Sequence, residues 1–359
     1  RGMENAMNEK KRVLVAMSGG VDSSAAAALL VQQGYLCDGA MLKLAPNEDS
    51  RCCSADDAED ARQAATRLGM RFYVFNETDR FQRCVMDAFV AEYAAGRTPN
   101  PCIDCNRELK FGALLDRTLT LGYDYIATGH YARVDFDPAS GKYRLLRGAE
   151  RQKDQSYVLY QLTQHQLSHL LLPVGDYDKP AIRDKARQAG LDNADKGDSQ
   201  DICFVPDGDY VGFLQRQGLA LTPGDFVDEE GRVLGRHRGL PCYTIGQGKG
   251  LGIAVGRHVY VLDKDEAANT VTLGDNEKLF HRTLTASRVN WISGEPPAAP
   301  LCCAAKTRYS QVESPCTAYP LPDGGMRVVF DEPQRAITAG QAVVLYDGDV
   351  VLGGGTIEA

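Results

Sequence analysis

Residues 12–34 read RVLVAMSGGVDSSAAAALLVQQG, and few folds accommodate such a run. Arg12–Met17 is short, apolar and branched, the pattern of a buried strand. Ser23–Gln33 is rich in Ala and Leu and stops at Gly34, a residue suited to end a helix. A strand that passes through glycines directly into a helix opens a βαβ unit. Strand patterns recur at Gly39–Leu44, Arg71–Phe75 and Tyr125–Thr128, and helix patterns lie between them at Asp56–Leu68, Asp79–Ala95 and Arg107–Leu121, the first capped by Ser54. The alternation predicts an α/β fold with an open parallel sheet. Lys179–Gly190 adds a helix with Pro180 in its first turn. Beyond Thr222 the chain becomes Gly-rich, with short strands such as HVYVLD, TVTLGD, MRVVFD and AVVLYDG, and turns at ISGEPPAAP and YPLPDGG. Two small β-rich modules are expected there, the second a β-barrel. A chain of 359 residues is too long for one core. We expect an α/β domain over residues 11–210, a central β-rich domain over 211–281 and a C-terminal barrel over 282–359.

The turn between the first strand and helix carries the clearest chemistry. Gly19 and Gly20 let backbone amides approach an anion, and Ser18, Ser23 and Ser24 add hydroxyls. The following helix offers its positive end, so the turn is an anion nest; its plain alternative is a tight turn of small residues. Neither GxxxxGK[ST] nor GxGxxG is present. SGGVDSS instead resembles the PP-loop of the N-type ATP pyrophosphatases. That resemblance implies cleavage of ATP between its α- and β-phosphates and adenylation of a carbonyl oxygen. Asp22 would stand near a Mg²⁺–phosphate cluster or, on the local reading, cap the helix.

Eleven cysteines is an odd number, and the opening RGMENAMNEKKR has no apolar h-region, so reduced thiols in a cytoplasmic protein are expected. No run of eighteen apolar residues suggests a membrane partner. Cys102 and Cys105 lie in TPNPCIDCNRELKFG, ahead of a helix whose N-terminus would lower a thiol pKa. A metal clip, a disulfide and reactive sulfur all stay open for this pair. Cys203, in KGDSQDICFV, sits among apolar neighbours and reads locally as a buried, inert thiol. Cys52 and Cys53 are adjacent and stay unassigned. The net charge of −8 argues against a protein that coats nucleic acid indiscriminately. Gly231–Leu262, however, holds five Arg or Lys residues and no acidic one: a local basic surface or a solvated loop.

VAMSGGVDSS, CCSADDAEDARQAATRLG, TPNPCIDCNRELKFG, TGHYAR, KDQSYVL, NADKGDSQDICF and YTIGQGKGLGI occur in this order over nearly the whole chain. Together they resemble the tRNA-specific 2-thiouridylases, the MnmA/TrmU family. The resemblance implies a tRNA sulfurtransferase that thiolates the wobble uridine. ATP would be bound by Ala16, Met17, Ser18, Gly19, Gly20, Val21, Asp22 and Ser23, with Met41 and Gly129. Cys105 takes the position of the nucleophile and Cys203 that of the persulfide carrier. Contacts to the target base fall on Asn100, Pro101 and Cys102. Contacts elsewhere on the tRNA anticodon arm fall on His130, Lys153, Asp154, Gln155, Arg308, Tyr309 and Gln341. A cysteine desulfurase or sulfur relay protein would donate the sulfur. Many family members carry Asp where this chain has Cys102, which puts a simple Asp-assisted proton transfer in doubt. Cys102, Cys105 and Cys203 are therefore also candidate ligands for a [4Fe–4S] cluster with an open iron, beside the persulfide–disulfide route; an open zinc site is a third option. The alternative function is a PP-loop enzyme acting on a small molecule, an amide-forming or argininosuccinate-type synthetase.

Overall fold

The computed structural model describes residues 10–44, 54–197 and 202–358. Cys52 and Cys53 lie outside them. The first part is a parallel sheet in the order β3-β2-β1-β4-β7: β1 Arg12–Ala16, β2 Leu36–Lys43, β3 Phe72–Asn76, β4 Tyr125–Ala127 and β7 Leu170–Leu171. Val13, Leu14 and Val15 are fully buried, because helices cover both faces of β1. Leu14 faces the core formed with residues 78–94 and 101–120. Val13 and Val15 face the core formed with α1 (Val21–Gln32), α2 (Ala55–Arg67) and helix Lys179–Gln188. Ser54 caps α2 in a capping box with Asp57, as its position suggests. The expected open parallel sheet is the observed one.

The central module is a sheet in the order β10-β11-β8-β9, built from β8 Gly224–Val227, β9 Val233–His237, β10 Tyr260–Asp265 and β11 Thr270–Gly274. The C-terminal strands are β12 Phe280–Trp291, β13 Leu301–Lys306, β14 Ser314–Pro320, β15 Met326–Arg335, β16 Ala342–Asp347 and β17 Val350–Ile357. They run in the order β12-β15-β14-β13-β16-β17, and pairing of β12 with β17 closes the barrel.

One hairpin crosses the expected division. β5 (Ala132–Asp137) and β6 (Lys142–Arg147) pair with each other, and β6 pairs with β17 of the barrel through Val350↔Leu146 and Val351↔Leu145. The basic loop also differs from its sequence pattern. Arg232 pairs with Asp228 and Glu230, Arg236 with Asp225, and Arg257 with Asp275. Acidic residues flanking the run thus neutralise much of its charge. Among the described residues no helix is long and apolar enough to cross a membrane.

Candidate active site

The glycine turn is held in shape by its own hydroxyls and by a distant loop. Ser18 N donates to Ser23 Oγ (3.2 Å), and that hydroxyl donates to Gly20 O (3.1 Å). Gly19 has φ +78°, and a Cβ there would lie 2.3 Å from Asp57 O, so only glycine fits. Asn193 Nδ2 donates to Gly19 O (3.1 Å) and to Ser24 Oγ (2.9 Å). Lys196 then ties the same loop to Asp57 and Asp60 of α2, at 2.7 and 2.6 Å. Gly129 closes the other side: a Cβ on it would come within 2.7 Å of Ser23 N. Met17 and Met41 are buried beneath the turn, and Val21 begins α1. The residues expected to hold the nucleotide thus adjoin one another around the turn, with Met17, Val21, Ser23 and Met41 buried.

Asp22 is occupied. Lys179 Nζ meets its two oxygens at 2.7 and 2.8 Å, and Tyr131 Oη donates to it at 2.7 Å. It is the sole carboxylate of SGGVDSS, so the turn has no unengaged acidic ligand for Mg²⁺.

The cysteine segment forms the start of a helical stretch over residues 101–120. Asn100 caps it by accepting from Cys102 N at 3.2 Å, and Pro101 takes the first helical position. Asn106 anchors it by donating to Val158 O at 3.2 Å. Cys105 and Cys203 pack against the same apolar core. Cys102 is exposed as a residue, yet protein crowds its thiol and raises its pKa. Desolvation is the largest cause and a charge on Cys203 adds to it, while Lys110 acts in the opposite direction. Thiols separated by about a hundred positions in sequence thus share one neighbourhood. Among the described residues no three His, Cys, Asp or Glu side chains stand at metal-ligand spacing. The cysteines as placed do not form a ready cluster or zinc site.

His130 lies between the glycine turn and the cysteine helix. Its Nδ1 is 2.7 Å from Thr128 Oγ1, and its ring lies 5.9 Å from that of Phe111 on the cysteine helix. Burial, then the charge of Lys110, holds its pKa well below 6.5, so the ring is neutral at pH 7.

Several residues expected to touch RNA are engaged within the chain. Asp154 is buried and accepts from Gly148 N, Ser156 N and Ser156 Oγ at 3.0, 3.1 and 2.9 Å. Gln155 Oε1 accepts from Tyr131 N at 3.0 Å. Arg308 Nη2 donates to Ile245 O (3.2 Å), Ala336 O (2.8 Å) and Thr338 Oγ1 (2.8 Å), joining the central module to the barrel. Gln341 Nε2 donates to Thr98 O (2.8 Å), bracing the cysteine loop against the barrel. Lys153 is half-buried, and Tyr309 is exposed beside the cleft. Sequence reasoning passed over Lys110, Lys179, Asn193 and Lys306. The first and third lie inside motifs already quoted, but nothing local shows what a side chain will meet.

Comparison with known proteins agrees with this layout. Residues 11–207 match the family described as the tRNA methyl transferase HUP domain, 212–275 its PRC-barrel domain, and 281–357 the aminomethyltransferase beta-barrel domain. A tRNA-specific 2-thiouridylase MnmA of Acetivibrio thermocellus is 49% identical over 97% of this chain and 99% of its own length. Proteins of that name from Carboxydothermus hydrogenoformans (51% identical, 97% of this chain and 98% of theirs) and Moorella thermoacetica (52%, 96% and 99%) are similarly close.

Proposed function

The chain belongs to the tRNA-specific 2-thiouridylase family, and from this premise we propose that it uses ATP to replace O2 of a tRNA wobble uridine with sulfur. One observation supports the reading: cysteines from two remote segments are neighbours, and the segment Gly129–His130 touches both the glycine turn and the cysteine helix. Relatives that match 96–97% of the chain bear the name of that activity.

The target base must leave its stack to enter the cleft. The SGGVDSS amides and the start of α1 hold the phosphates of ATP, while Asp22 stays paired with Lys179; a Mg²⁺ bound to the nucleotide would supply further charge for the phosphates. Uracil O2 attacks the α-phosphate, a P–O bond breaks and pyrophosphate leaves. The terminal sulfur of a persulfide on Cys203 then bonds to C2, and the C2–O bond breaks to release AMP. Cys105 attacks Cys203 Sγ, the S–S bond to the product breaks, and 2-thiouridine leaves. The resulting Cys105–Cys203 disulfide is reduced by an external thiol. A persulfide-bearing donor, a cysteine desulfurase or a relay protein, reloads Cys203. Among the described residues the cysteines do not stand at the spacing of an iron–sulfur ligand set. Cys102, with its raised pKa, is a neutral thiol near pH 7 and can donate a hydrogen bond to the base.

The name of the matching family suggests methyl transfer as a second reading. Pyrophosphate release separates the two. Thiolation requires AMP and pyrophosphate to form only when tRNA is present. Methylation of tRNA from S-adenosylmethionine without ATP would replace the proposal, and ATP turnover on small metabolites without RNA would make this a synthetase.

A further inference from the structure

Lys306 ends β13 and is only 9% exposed. Its ammonium lies 5.9 Å from the ring centroids of both Tyr157 and Tyr309, which themselves meet edge to face at 5.9 Å. Among the described residues no hydrogen bond or ion pair reaches it. The carboxylates nearest in charge are committed elsewhere: Asp154 to Gly148 and Ser156, and Glu313 to Arg147 at 2.9 Å. Burial pulls the pKa of Lys306 down, outweighing the charges of Asp154 and Glu313, which raise it. Two tyrosine faces attract a cation but compensate only part of what hydration provides. Among the described residues no carboxylate pairs with it directly. Tyr309, 41% exposed, lies against it; burial raises the tyrosine's pKa, and Cys102 is near enough for the thiol's charge to add to the rise.

On the reading that RNA is the substrate, we propose that Lys306 holds a backbone phosphate next to the extruded uridine, with Tyr309 as the ring on which a base stacks. Arg308, the neighbouring cation, is spent on Ile245, Ala336 and Thr338 and acts as a brace. A phosphodiester brings the missing charge, and displacement of the Tyr309 ring opens the ammonium to the cleft.

The test is binding of an unmodified anticodon stem-loop RNA, read as the slope of log Kd against log salt, for the parental chain, Lys306→Met and Lys306→Arg. Loss of one phosphate contact should flatten the slope by about 0.7, so that between 50 and 200 mM salt the parental chain loses roughly threefold more affinity than Lys306→Met. Lys306→Arg should keep the parental slope, and ATP binding without RNA should not change. A parental slope in Lys306→Met, or weakened ATP binding, overturns the proposal. Absence of RNA binding by the parental chain would instead defeat the RNA reading itself. Should Lys306→Met fail to fold, a neutral methylphosphonate beside the target uridine tests the same contact with the parental chain. It must reproduce the flattened slope, and an unchanged slope at both flanking linkages refutes the assignment.

Discussion

At the scale of single residues, the account divides the work between sulfur and charge. Cys203→Ala should abolish thiolation while tRNA-dependent pyrophosphate release continues, because adenylation precedes sulfur transfer. Parallel assays of pyrophosphate and of thiolated RNA check this, and equal loss of both would place Cys203 in the first step. Lys179→Met removes the ammonium that neutralises Asp22 and leaves that carboxylate on Tyr131 alone. A charge-assisted bond of this kind contributes about 2 kcal/mol, so the KM for ATP should rise some tenfold or more. An unchanged KM would show that Lys179 has no part in shaping the turn. Neither partner of Asp22 was legible in the sequence. Lys179 follows it by more than a hundred and fifty residues and reads locally as the first turn of a helix.

At the scale of elements, the close approach of two turns is the decisive feature. Gly129→Ala puts a methyl 2.7 Å from Ser23 N, a backbone atom that cannot move without moving the start of α1. The strain, about 1–3 kcal/mol, should appear mainly as weaker ATP binding with the secondary structure retained; calorimetric titration with ATP decides. His130 makes a pH prediction. Its folded pKa lies well below the 6.5 of the unfolded chain, so the unfolded state binds the extra proton as pH falls. Its contribution is fully present above pH 6.5 and is lost below it, at up to ~1.4 kcal/mol per pH unit. Urea midpoints from pH 7.5 to 5.5 should therefore fall more steeply for the parental chain than for His130→Gln; parallel curves would contradict the burial argument. The strands and helices around these turns could be read from periodicity, which is a local property. Hairpin β5–β6 could not: ARVDFD and KYRLLR gain their meaning from β17, two hundred residues away.

At the scale of the whole molecule, the barrel braces the cysteine loop and is itself tied to the central module. Gln341 reaches Thr98, and Arg308 joins the two β modules. Arg308→Ala should lower stability by about 1.5–3 kcal/mol and leave the salt slope of RNA binding unchanged, the reverse of Lys306→Met. Thermal unfolding and RNA titration of the same sample separate the two roles. The ordered motifs revealed the family, but not which polar residues would be spent on bracing, since that depends on contacts across modules. The central claim is that sulfur carried on Cys203 reaches a uridine activated by ATP. Its most direct test is mass spectrometry of nucleosides from tRNA incubated with the protein, ATP, Mg²⁺ and a persulfide donor. The account expects 2-thiouridine with the parental chain, and none without ATP or with Cys203→Ala. Unmodified or methylated uridine from the parental chain, or undiminished 2-thiouridine from Cys203→Ala, would contradict it.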